Sequence, residues 1–527
     1  MPADTIPSNI KELQALVLKQ QSEIAELKPF KEKSLLLEEE VALLRKLRFA
    51  HKSEKWTTED KIQAFLFDEA EEVSESPTTV RTTVVKSHRR KKAGRKALDP
   101  KLPRVELIHE LSDKEKVCDC GHALQKIGED SYEELDFQPA KYWVNKHIYP
   151  KYACKHCEGL SNENKPAVST PPREPRIIEK SIATPGLLAY TLVSKFEDHL
   201  PFYRQEKIFR RLGVELPRAT MCNWAMHIGK KLEPLLEIMK QDLVKSKLVA
   251  ADETRLKVMK ELGRKNTSNS FMWLFYGKHK DRPIYLYNYH PTRATSVVEN
   301  YLQNYKGILL TDGYSVYQKF AEPREIVHAG CWAHARRKFK EAFDTGKQAP
   351  GVASKVIEII QELYNIERNA KENEIIDEEL LKYRIKNSKP IVADLYNYLK
   401  EQQPKVRPES LLGKAITYTL NQWPKLIQFL NHSILPLDNN VSENAIRPFV
   451  LGRKNWLFSG SPRGAHASCA IYSIIETSKA NGLEPYWYLR YLFEKLPKLS
   501  SQEELAEIAP HRITIETLGD YKRHGVN

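Results

Sequence analysis

No stretch of this sequence approaches the ~20 consecutive apolar residues that a membrane-spanning helix needs. Its first residues, MPADTIPSNIKELQ, also lack the apolar core of a secretory signal. We therefore expect a cytoplasmic protein with no membrane partner. Cysteine is scarce as well, with an odd total of seven in 527 residues. Four of the seven lie close together in two pairs, which favours metal binding in a reducing compartment over a disulfide framework.

Acidic residues are outnumbered, with 69 Asp and Glu against 83 Lys and Arg, which leaves a formal charge of +14. This excess of positive charge favours a polyanionic partner, and nucleic acid is the leading candidate. At 527 residues the chain is too long for one ordinary domain, and its length predicts about three to five units.

Near the start, apolar residues recur at alternating steps of three and four between Ile10 and Leu27. That spacing keeps an apolar seam on one side of a helix and predicts a coiled coil, hence a homo-oligomer. Pro29 is expected to interrupt the helix, and the seam resumes out of phase at Leu37, Val41 and Leu44. The alternative is an amphipathic helix that packs on its own chain.

An acidic, Ser/Thr-rich stretch from Glu69 to Thr83 reads as a linker. It leads into a run from Lys86 to Lys96 with seven basic side chains and no acidic one. Such a run would neutralise phosphates and give salt-dependent affinity for DNA, although a solvated tail is the alternative. The candidate DNA-binding residues of this run are Arg89, Arg90, Lys91, Lys92, Arg95 and Lys96.

Two cysteine knuckles follow, Cys118-Asp-Cys120 and Cys154-Lys-His-Cys157. Short knuckles about thirty residues apart are how a zinc ribbon supplies four thiolates to one structural Zn²⁺. The first knuckle is one residue shorter than the usual C-x-x-C, so His122 could replace one thiolate. Buried free thiols are the alternative to zinc.

Three amphipathic stretches lie beyond a proline-rich joint, and they cover residues 187–196, 203–212 and 218–232. Gly213 supplies a turn between the last two, so the pair suits a helix-turn-helix whose second helix enters the major groove. Arg218, Thr220 and Asn223 would then face DNA. A helical bundle that binds nothing is the alternative.

The stretch from Leu248 to Val258 is apolar and β-branched up to Asp252, and it predicts a central strand. Residues 271–276 and 283–287 predict two further strands after short loops, and residues 294–302 predict a helix. A buried strand that ends on Asp312 follows. A meander of three strands, a crossover helix and a fourth strand beside the first describe a ribonuclease-H-like sheet. In that arrangement Asp252 and Asp312 lie on neighbouring strands.

Two aspartates at the ends of adjacent buried strands repel each other unless cations neutralise them. Mg²⁺ is the natural ion for such an all-oxygen site. Taken singly, each could be a turn or capping residue, and Asp312-Gly313 in particular resembles an ordinary turn.

A third carboxylate lies far downstream, in Asp438-Asn-Asn-Val-Ser-Glu443-Asn-Ala-Ile-Arg447. Asp and Asn are good caps for a helix start, and Glu443 and Arg447 share one face of that helix. A simple salt bridge between them is the alternative. The next residues mix basic and aromatic side chains, which is typical of a site where a DNA strand passes and a base stacks. The candidate DNA contacts of this region are Arg447, Arg453, Lys454 and Trp456.

The segment His328-Ala-Gly-Cys331-Trp-Ala-His334 shows three candidate zinc ligands only. We therefore favour a supporting role for Cys331 and His334 behind the acidic site, with Arg336 and Arg337 on phosphate. A core role for Cys331 is the alternative.

Many ordered segments resemble the insertion-sequence-66 family of DDE transposases, over nearly the whole chain. They include PKYACKHCEG, AADETRLKV, LLTDGYSVY, HAGCWAHARRKF and DNNVSENAIRPFVLGRKNWLFSG. The resemblance implies a bacterial enzyme with a ribonuclease-H-like core and a helical insertion before the last acidic residue. Carried over by motif, Asp252, Asp312 and Glu443 correspond to the DDE triad.

The fold class expected is therefore multidomain α+β, with a ribonuclease-H-like α/β core, a helical insertion, an N-terminal coiled coil and zinc-ribbon-like and helix-turn-helix modules. The domain division is as follows: coiled coil 1–50, linker with basic run 51–98, zinc-binding domain 99–165, helix-turn-helix-like domain 166–245, first part of the core 246–341, helical insertion 342–433, second part of the core 434–485 and helical tail 486–527.

The triad would hold two Mg²⁺ or Mn²⁺ ions that activate a water at the transposon end and then align the freed 3′-OH for attack on target DNA. Partners would be DNA, further copies of the chain and element-encoded accessory proteins. Two rival functions stay open, a zinc-dependent DNA-binding regulator with an inactive core and a structure-selective nuclease of the same fold.

Overall fold

The computed structural model describes residues 10–49, 142–153, 168–169, 172–324, 326–345 and 351–524. Contacts divide the chain into two units. One unit contains the N-terminal helix and everything from Pro175 onwards, and the other lies between Pro77 and Glu174. The predicted basic run and the four predicted zinc-ligating cysteines fall outside the described residues.

The N-terminal helix α1 runs from Ile10 to Phe49. We predicted that Pro29 interrupts it, and that prediction is wrong, since the helix continues through position 29. A proline removes one backbone donor and bends the helix, but the hydrogen bonds of the neighbouring turns survive in a helix of this length. Apolar side chains of the predicted seam are exposed, among them Val17, Ile24, Leu27, Leu37, Val41 and Leu44.

The described part of the second unit contains a two-stranded antiparallel pair, β1 (Tyr152–Ala153) and β2 (Val168–Ser169). Strand β1 ends one residue before Cys154. The second predicted knuckle therefore begins directly after a strand.

Four helices precede the main sheet: α2 (Pro185–Phe196), α3 (Phe202–Arg211), α4 (Arg218–Lys231) and α5 (Glu233–Leu243). Gly213 has a φ of 80° in the turn between α3 and α4, a conformation that favours glycine. The three predicted amphipathic helices are thus confirmed to within two residues. On α4 the apolar side chains of Met221, Trp224 and Ile228 are buried.

The main sheet has five strands in the order β5-β4-β3-β6-β7. Strands β3, β4 and β5 form an antiparallel meander, while β6 pairs with β3 and β7 pairs with β6 in parallel. The bounds are β3 (Leu248–Lys257), β4 (Asn269–His279), β5 (Arg282–His290), α6 (Thr295–Tyr301), β6 (Ile308–Thr311), α7 (Ser315–Ala321) and β7 (Val327–Gly330). The first four strands and the crossover helix α6 are as predicted, and β7 was not predicted.

A helical block follows β7 and packs on one face of the sheet: α8 (Trp332–Thr345), α9 (Val352–Glu372), α10 (Asp377–Gln402) and α11 (Leu411–Leu426). Its apolar side chains share one buried cluster with Ala250 of β3 and Leu310 of β6. The indole of Trp332 donates to the carbonyl oxygen of Leu426 at 2.9 Å, which joins the two ends of the block. The predicted helical character of this insertion is confirmed.

The chain then returns to the sheet through α12 (Asn440–Trp456) and ends with α13 (Pro462–Ala480), α14 (Pro485–Lys495), α15 (Gln502–Glu507) and α16 (Ile515–His524). Helix α13 covers β5, where Ser473 Oγ accepts from the backbone N–H of Tyr287 at 2.8 Å. It also meets α4, since a Cβ on Gly229 would lie 2.6 Å from Cα of Ala467. Among the residues that the structure describes, no helix combines the length and apolar content needed to cross a bilayer.

Candidate active site

Strand register brings the first two predicted carboxylates to equivalent positions. Ala250 of β3 pairs with Leu310 of β6 in the parallel ladder, and Asp252 and Asp312 each lie two residues further along. Because side chains alternate between the faces of a sheet, Asp252 lies on the face that Ala250 shares with the helical block. Asp312 is the first residue after β6. Both are partly buried.

Asp312 also forms the turn that the sequence suggested. Its Oδ1 accepts from the backbone N–H of Tyr314 at 3.0 Å, and its carbonyl oxygen accepts from the Tyr418 hydroxyl of α11 at 2.7 Å. Gly313 has a φ of 88°, and a Cβ there would lie 2.8 Å from Oε1 of Gln422. Glycine is therefore favoured at this position by its conformation, while the nearby Gln422 side chain could move aside.

Glu443 lies in the first turn of α12 and is 2% exposed. We predicted that Asp and Asn cap this helix start. Oδ1 of Asp438 accepts from the backbone N–H of Asn440 at 3.1 Å, whereas Asn439 makes no cap bond to the helix. Its side-chain amide donates instead to the carbonyl oxygen of Ala251 on β3 at 3.1 Å, and it accepts from the hydroxyl of Ser442. The Asn439 side chain therefore joins the start of α12 to the central strand β3.

The electrostatics of Asp252 link all three predicted carboxylates. Burial raises the pKa of Asp252 well above its usual range, and the negative charges of Glu253, Asp312 and Glu443 raise it further. A carboxyl group surrounded in this way loses its proton readily only when a cation compensates the charge.

Glu443 is also paired with two groups of α8. Its Oε1 lies 3.4 Å from Nδ1 of His334, and its Oε2 lies 3.8 Å from the Arg337 guanidinium. Sγ of Cys331 completes a cluster with His334 and Glu443 in which the possible ligand atoms all lie within 4.8 Å of one another. The predicted supporting residues therefore adjoin the third carboxylate.

His328 takes no part in that cluster. Its Nε2 lies 2.9 Å from Oγ1 of Thr311. Burial, with the charge of Lys425, lowers the pKa of His328 to about 3, so its imidazole is neutral at physiological pH.

A fourth carboxylate, Glu253, was missed by the sequence analysis. The Arg293 guanidinium donates to its Oε1, with Nε at 2.6 Å, and the Tyr317 hydroxyl donates to its Oε2. Burial and the charge of Asp312 raise the pKa of Glu253 to about 7. Arg293 in turn stacks on Tyr314 at 3.8 Å from the ring centre. The network lies on the opposite face of β3 from Asp252, because successive side chains alternate.

The predicted DNA-contacting residues of α4 divide by exposure. Arg218 and Asn223 are exposed, and Thr220 is partly buried. All three lie in the first two turns of α4, and their contact with DNA stays a prediction.

The predicted contact residues nearer the carboxylates, Arg336, Arg337, Arg447, Arg453, Lys454 and Trp456, are all partly buried. Arg453 donates to the carbonyl oxygen of Arg255 and so holds the end of β3. The Trp456 ring packs edge-on against Phe449 at 5.3 Å and lies 5.6 Å from Nζ of Lys195. These contacts give Arg453 and Trp456 a structural role besides any on DNA.

The central part of the chain matches a known protein family. Residues 180–467 match the family described as Transposase IS66 family, which is more than half of the 527 residues. The chain therefore belongs to the Transposase IS66 family, and the resemblance drawn from its motifs is confirmed. Family membership makes it a DNA transposase with DNA-binding modules.

Three further matches cover parts outside the central region. Residues 115–158 match the zinc-finger binding domain of transposase IS66, and residues 473–511 match the IS66 C-terminal element. Residues 36–107 match a domain described as Transposase C of IS166 homeodomain, a module that the sequence analysis did not predict. The zinc-finger match includes all four predicted cysteine ligands and supports a structural zinc there.

The curated relatives come from Sinorhizobium fredii and are named as uncharacterized proteins. One, y4qI, is 29% identical over 552 residues, covering 98% of this chain and 100% of the relative. A second, y4jD, is 31% identical over 479 residues, covering 87% of this chain and 91% of the relative.

Proposed function

We propose that this transposase cleaves DNA at element ends and joins the freed ends to target DNA, using Asp252, Asp312 and Glu443 on a ribonuclease-H-like core. The observation that carries the proposal is that Ala250 pairs with Leu310 on the parallel neighbours β3 and β6, with Asp252 and Asp312 each two residues further along the chain. The strand order β5-β4-β3-β6-β7 supports the ribonuclease-H-like assignment.

The three carboxylates suit Mg²⁺ or Mn²⁺. They supply only oxygen donors, which hard divalent cations prefer. The raised pKa of Asp252, caused by burial and by its acidic neighbours, is the property that a bound cation would reverse. When bound, two such ions would supply an activated water and stabilise the leaving oxygen of the cleaved strand.

The chain's own residues would position these groups. Asp252 and Asp312 are fixed by the sheet, and Glu443 is fixed to the same sheet by the bond from Asn439 to Ala251. Arg337, 3.8 Å from Glu443, keeps a positive charge beside the site, where it would bind a strand phosphate. No nucleophilic side chain is required, because water and then the 3′-OH attack phosphorus.

The remaining modules would bind and gather DNA. The zinc-binding region, the basic run 86–96 and helix α4 would contact element ends, and the exposed apolar side chains of α1 would pair with those of another copy. The chain would comprise the eight domains given above, from the coiled coil at 1–50 to the helical tail at 486–527. Element-encoded accessory proteins would be further partners.

The test is a strand-transfer assay on a labelled donor end taken from the DNA that flanks the gene, with Mg²⁺ or Mn²⁺. We expect cleavage and joining by the wild type, and the loss of both in Asp252→Asn, Asp312→Asn and Glu443→Gln. Asp394→Asn changes an exposed aspartate of α10 and is the matched control, with full activity expected.

Two results would overturn the proposal in different ways. End binding by the wild type without any metal-dependent nicking would indicate a regulator with an inactive core. Cleavage of branched DNA without joining of a donor end would indicate a structure-selective nuclease.

A further inference from the structure

One cluster of side chains beside the proposed magnesium site has a different donor chemistry. Cys331 directly precedes α8, His334 lies in the first turn of α8, and Glu443 lies in the first turn of α12. One ligand atom from each, a sulfur, a ring nitrogen and a carboxylate oxygen, lies within 4.8 Å of the others. Two helix starts therefore converge on one small polar volume.

This donor set selects for a class of metal ion. Thiolate and imidazole are ligands of Zn²⁺ and similar transition metals, whereas Mg²⁺ takes oxygen ligands almost exclusively. Tetrahedral Zn²⁺ with its usual bond lengths would space such ligand atoms about 3.4 to 3.6 Å apart. The three possible ligand atoms lie within 4.8 Å of one another, so binding would draw them together by at most about 1.4 Å.

The individual groups are placed to bind. Sγ of Cys331 accepts from the backbone N–H of Asn439 at 3.2 Å, which fixes the position of the sulfur. His334 offers a ring nitrogen, and an imidazole nitrogen is a common ligand of Zn²⁺.

Glu443 can serve this cluster without losing its arginine partner. Its Oε1 faces His334 at 3.4 Å, whereas its Oε2 faces Arg337 at 3.8 Å. An ion bound by Oε1 would leave Oε2 beside the guanidinium and available to the proposed magnesium site. The positive charge of Arg337 weakens the binding of any cation nearby, so the thiolate is needed to balance it.

We propose that Cys331, His334 and Glu443 form a second Zn²⁺ site, separate from the zinc-binding region at 115–158, with a water in the fourth position. The site depends only on these three side chains and not on strand transfer. If the assay of the proposed function fails, the metal site can still be present, and the reverse also holds.

The test measures metal in the full-length protein, stripped with a chelator and reloaded with Co²⁺ in place of Zn²⁺. To remove the signal of the other cysteine cluster, all variants carry Cys154→Ser and Cys157→Ser. In this background we expect one tightly bound ion and a thiolate-to-cobalt charge-transfer band. Cys331→Ser should abolish the band. Loss of a residue that only supports a ligand weakens metal binding roughly 10- to 100-fold, so His334→Ala, which removes a ligand, should weaken Co²⁺ binding by more than that.

Cys469→Ser is the matched control, because Cys469 is another buried free cysteine and lies on α13. It should keep both the ion and the band. Circular dichroism and thermal unfolding establish that each variant is folded, and Cys331→Ser retains an acceptor for the N–H of Asn439. Equal metal content and an unchanged band in Cys331→Ser, together with unchanged affinity in His334→Ala, would overturn the proposal.

Discussion

The side-chain amide of Asn439 donates to the carbonyl oxygen of Ala251 at 3.1 Å, across 188 residues of sequence. This bond joins the start of α12, which carries Glu443, to the residue before Asp252. Asn439 is 1% exposed, so water cannot replace the bond. The distance between the first and third carboxylates is therefore controlled by a residue that is itself not acidic.

Asn439→Ala is expected to lower the free energy of unfolding by about 2 kcal/mol, because the carbonyl oxygen of Ala251 and the hydroxyl of Ser442 lose a buried partner. Strand cleavage should fall at least tenfold as Glu443 loses its alignment. Urea titration and the donor-end assay measure the two effects. Asn373→Ala removes an exposed amide and should change neither; an equal loss in both variants would contradict the assignment.

Breaking the ion pair of Glu253 and Arg293 should be costly, because the Glu253 side chain is 1% exposed. We expect Glu253→Ala and Arg293→Ala each to lower the free energy of unfolding by about 3 kcal/mol. The double variant should lose clearly less than the two together, since the second change removes a charge already unpaired. Additive losses in urea titrations would show that the two side chains are not coupled.

Acidification should destabilise the fold through Asp242 and His511. Burial lowers the pKa of His511 to about 4, so below the unfolded value of about 6.5 the unfolded chain binds a proton that the folded chain does not. Burial alone would raise the pKa of Asp242, but bonds from His511, Arg512 and Lys245 hold it well below its usual range. The lowered pKa values of His511 and Asp242 both make the folded state less stable as pH falls.

Between pH 7 and pH 5 the His511 effect should remove about 2 kcal/mol of unfolding free energy. Urea titrations at the two pH values measure it. His511→Gln should flatten this dependence, whereas His227→Gln, on an exposed histidine of α4, should leave it unchanged. A wild-type stability that rises on acidification would contradict the prediction.

The apolar side chains of α1 should hold copies of the chain together. Leu37 and Val41 are 52% and 44% exposed, and a charge at either position would have to enter the apolar interface of a coiled coil. Leu37→Asp with Val41→Asp should shift the oligomer to monomer in sedimentation experiments. Glu40→Gln changes a neighbouring exposed residue and should not. A wild type that is already monomeric at micromolar concentration would contradict the oligomer.

Replacing the second cysteine pair should remove the zinc of the 115–158 region. Cys154→Ser with Cys157→Ser is expected to lower zinc content by one ion per chain and to weaken binding to element ends at least tenfold. Metal analysis and gel-shift titration measure these changes. The thermal unfolding of the unit that contains the main sheet should persist, because the two units pack separately.

The sequence predicted the central sheet well because its signals are local and strong. Strands β3, β4 and β5 are long and apolar, and β6 is a continuous buried run that ends directly before Asp312. The positions of Asp252 and Asp312 followed from strand order alone. Placing Glu443 depended on the motif resemblance, because no periodicity predicts which helix returns to a sheet after more than a hundred residues.

Other features could not be read from the sequence. Strand β7 is only four residues long, contains His328, and shows none of the apolar alternation that marks a strand. Arg293 lies forty residues from Glu253, and their pairing depends on how α6 and α7 cross the sheet. The predicted interruption of α1 at Pro29 was wrong, because a proline affects the hydrogen bonds of its own turn and a long helix keeps those of its other turns.

The helical block between β7 and α12 has a consequence for any attempt to shorten this protein. Its side chains and those of β3 and β6 form one apolar cluster, and the block supplies most of the buried residues of that cluster. Removal of the block would expose a broad apolar surface beside the three predicted carboxylates. A shortened enzyme would therefore need another apolar element to cover this face of the sheet. A simple deletion is expected to yield insoluble protein.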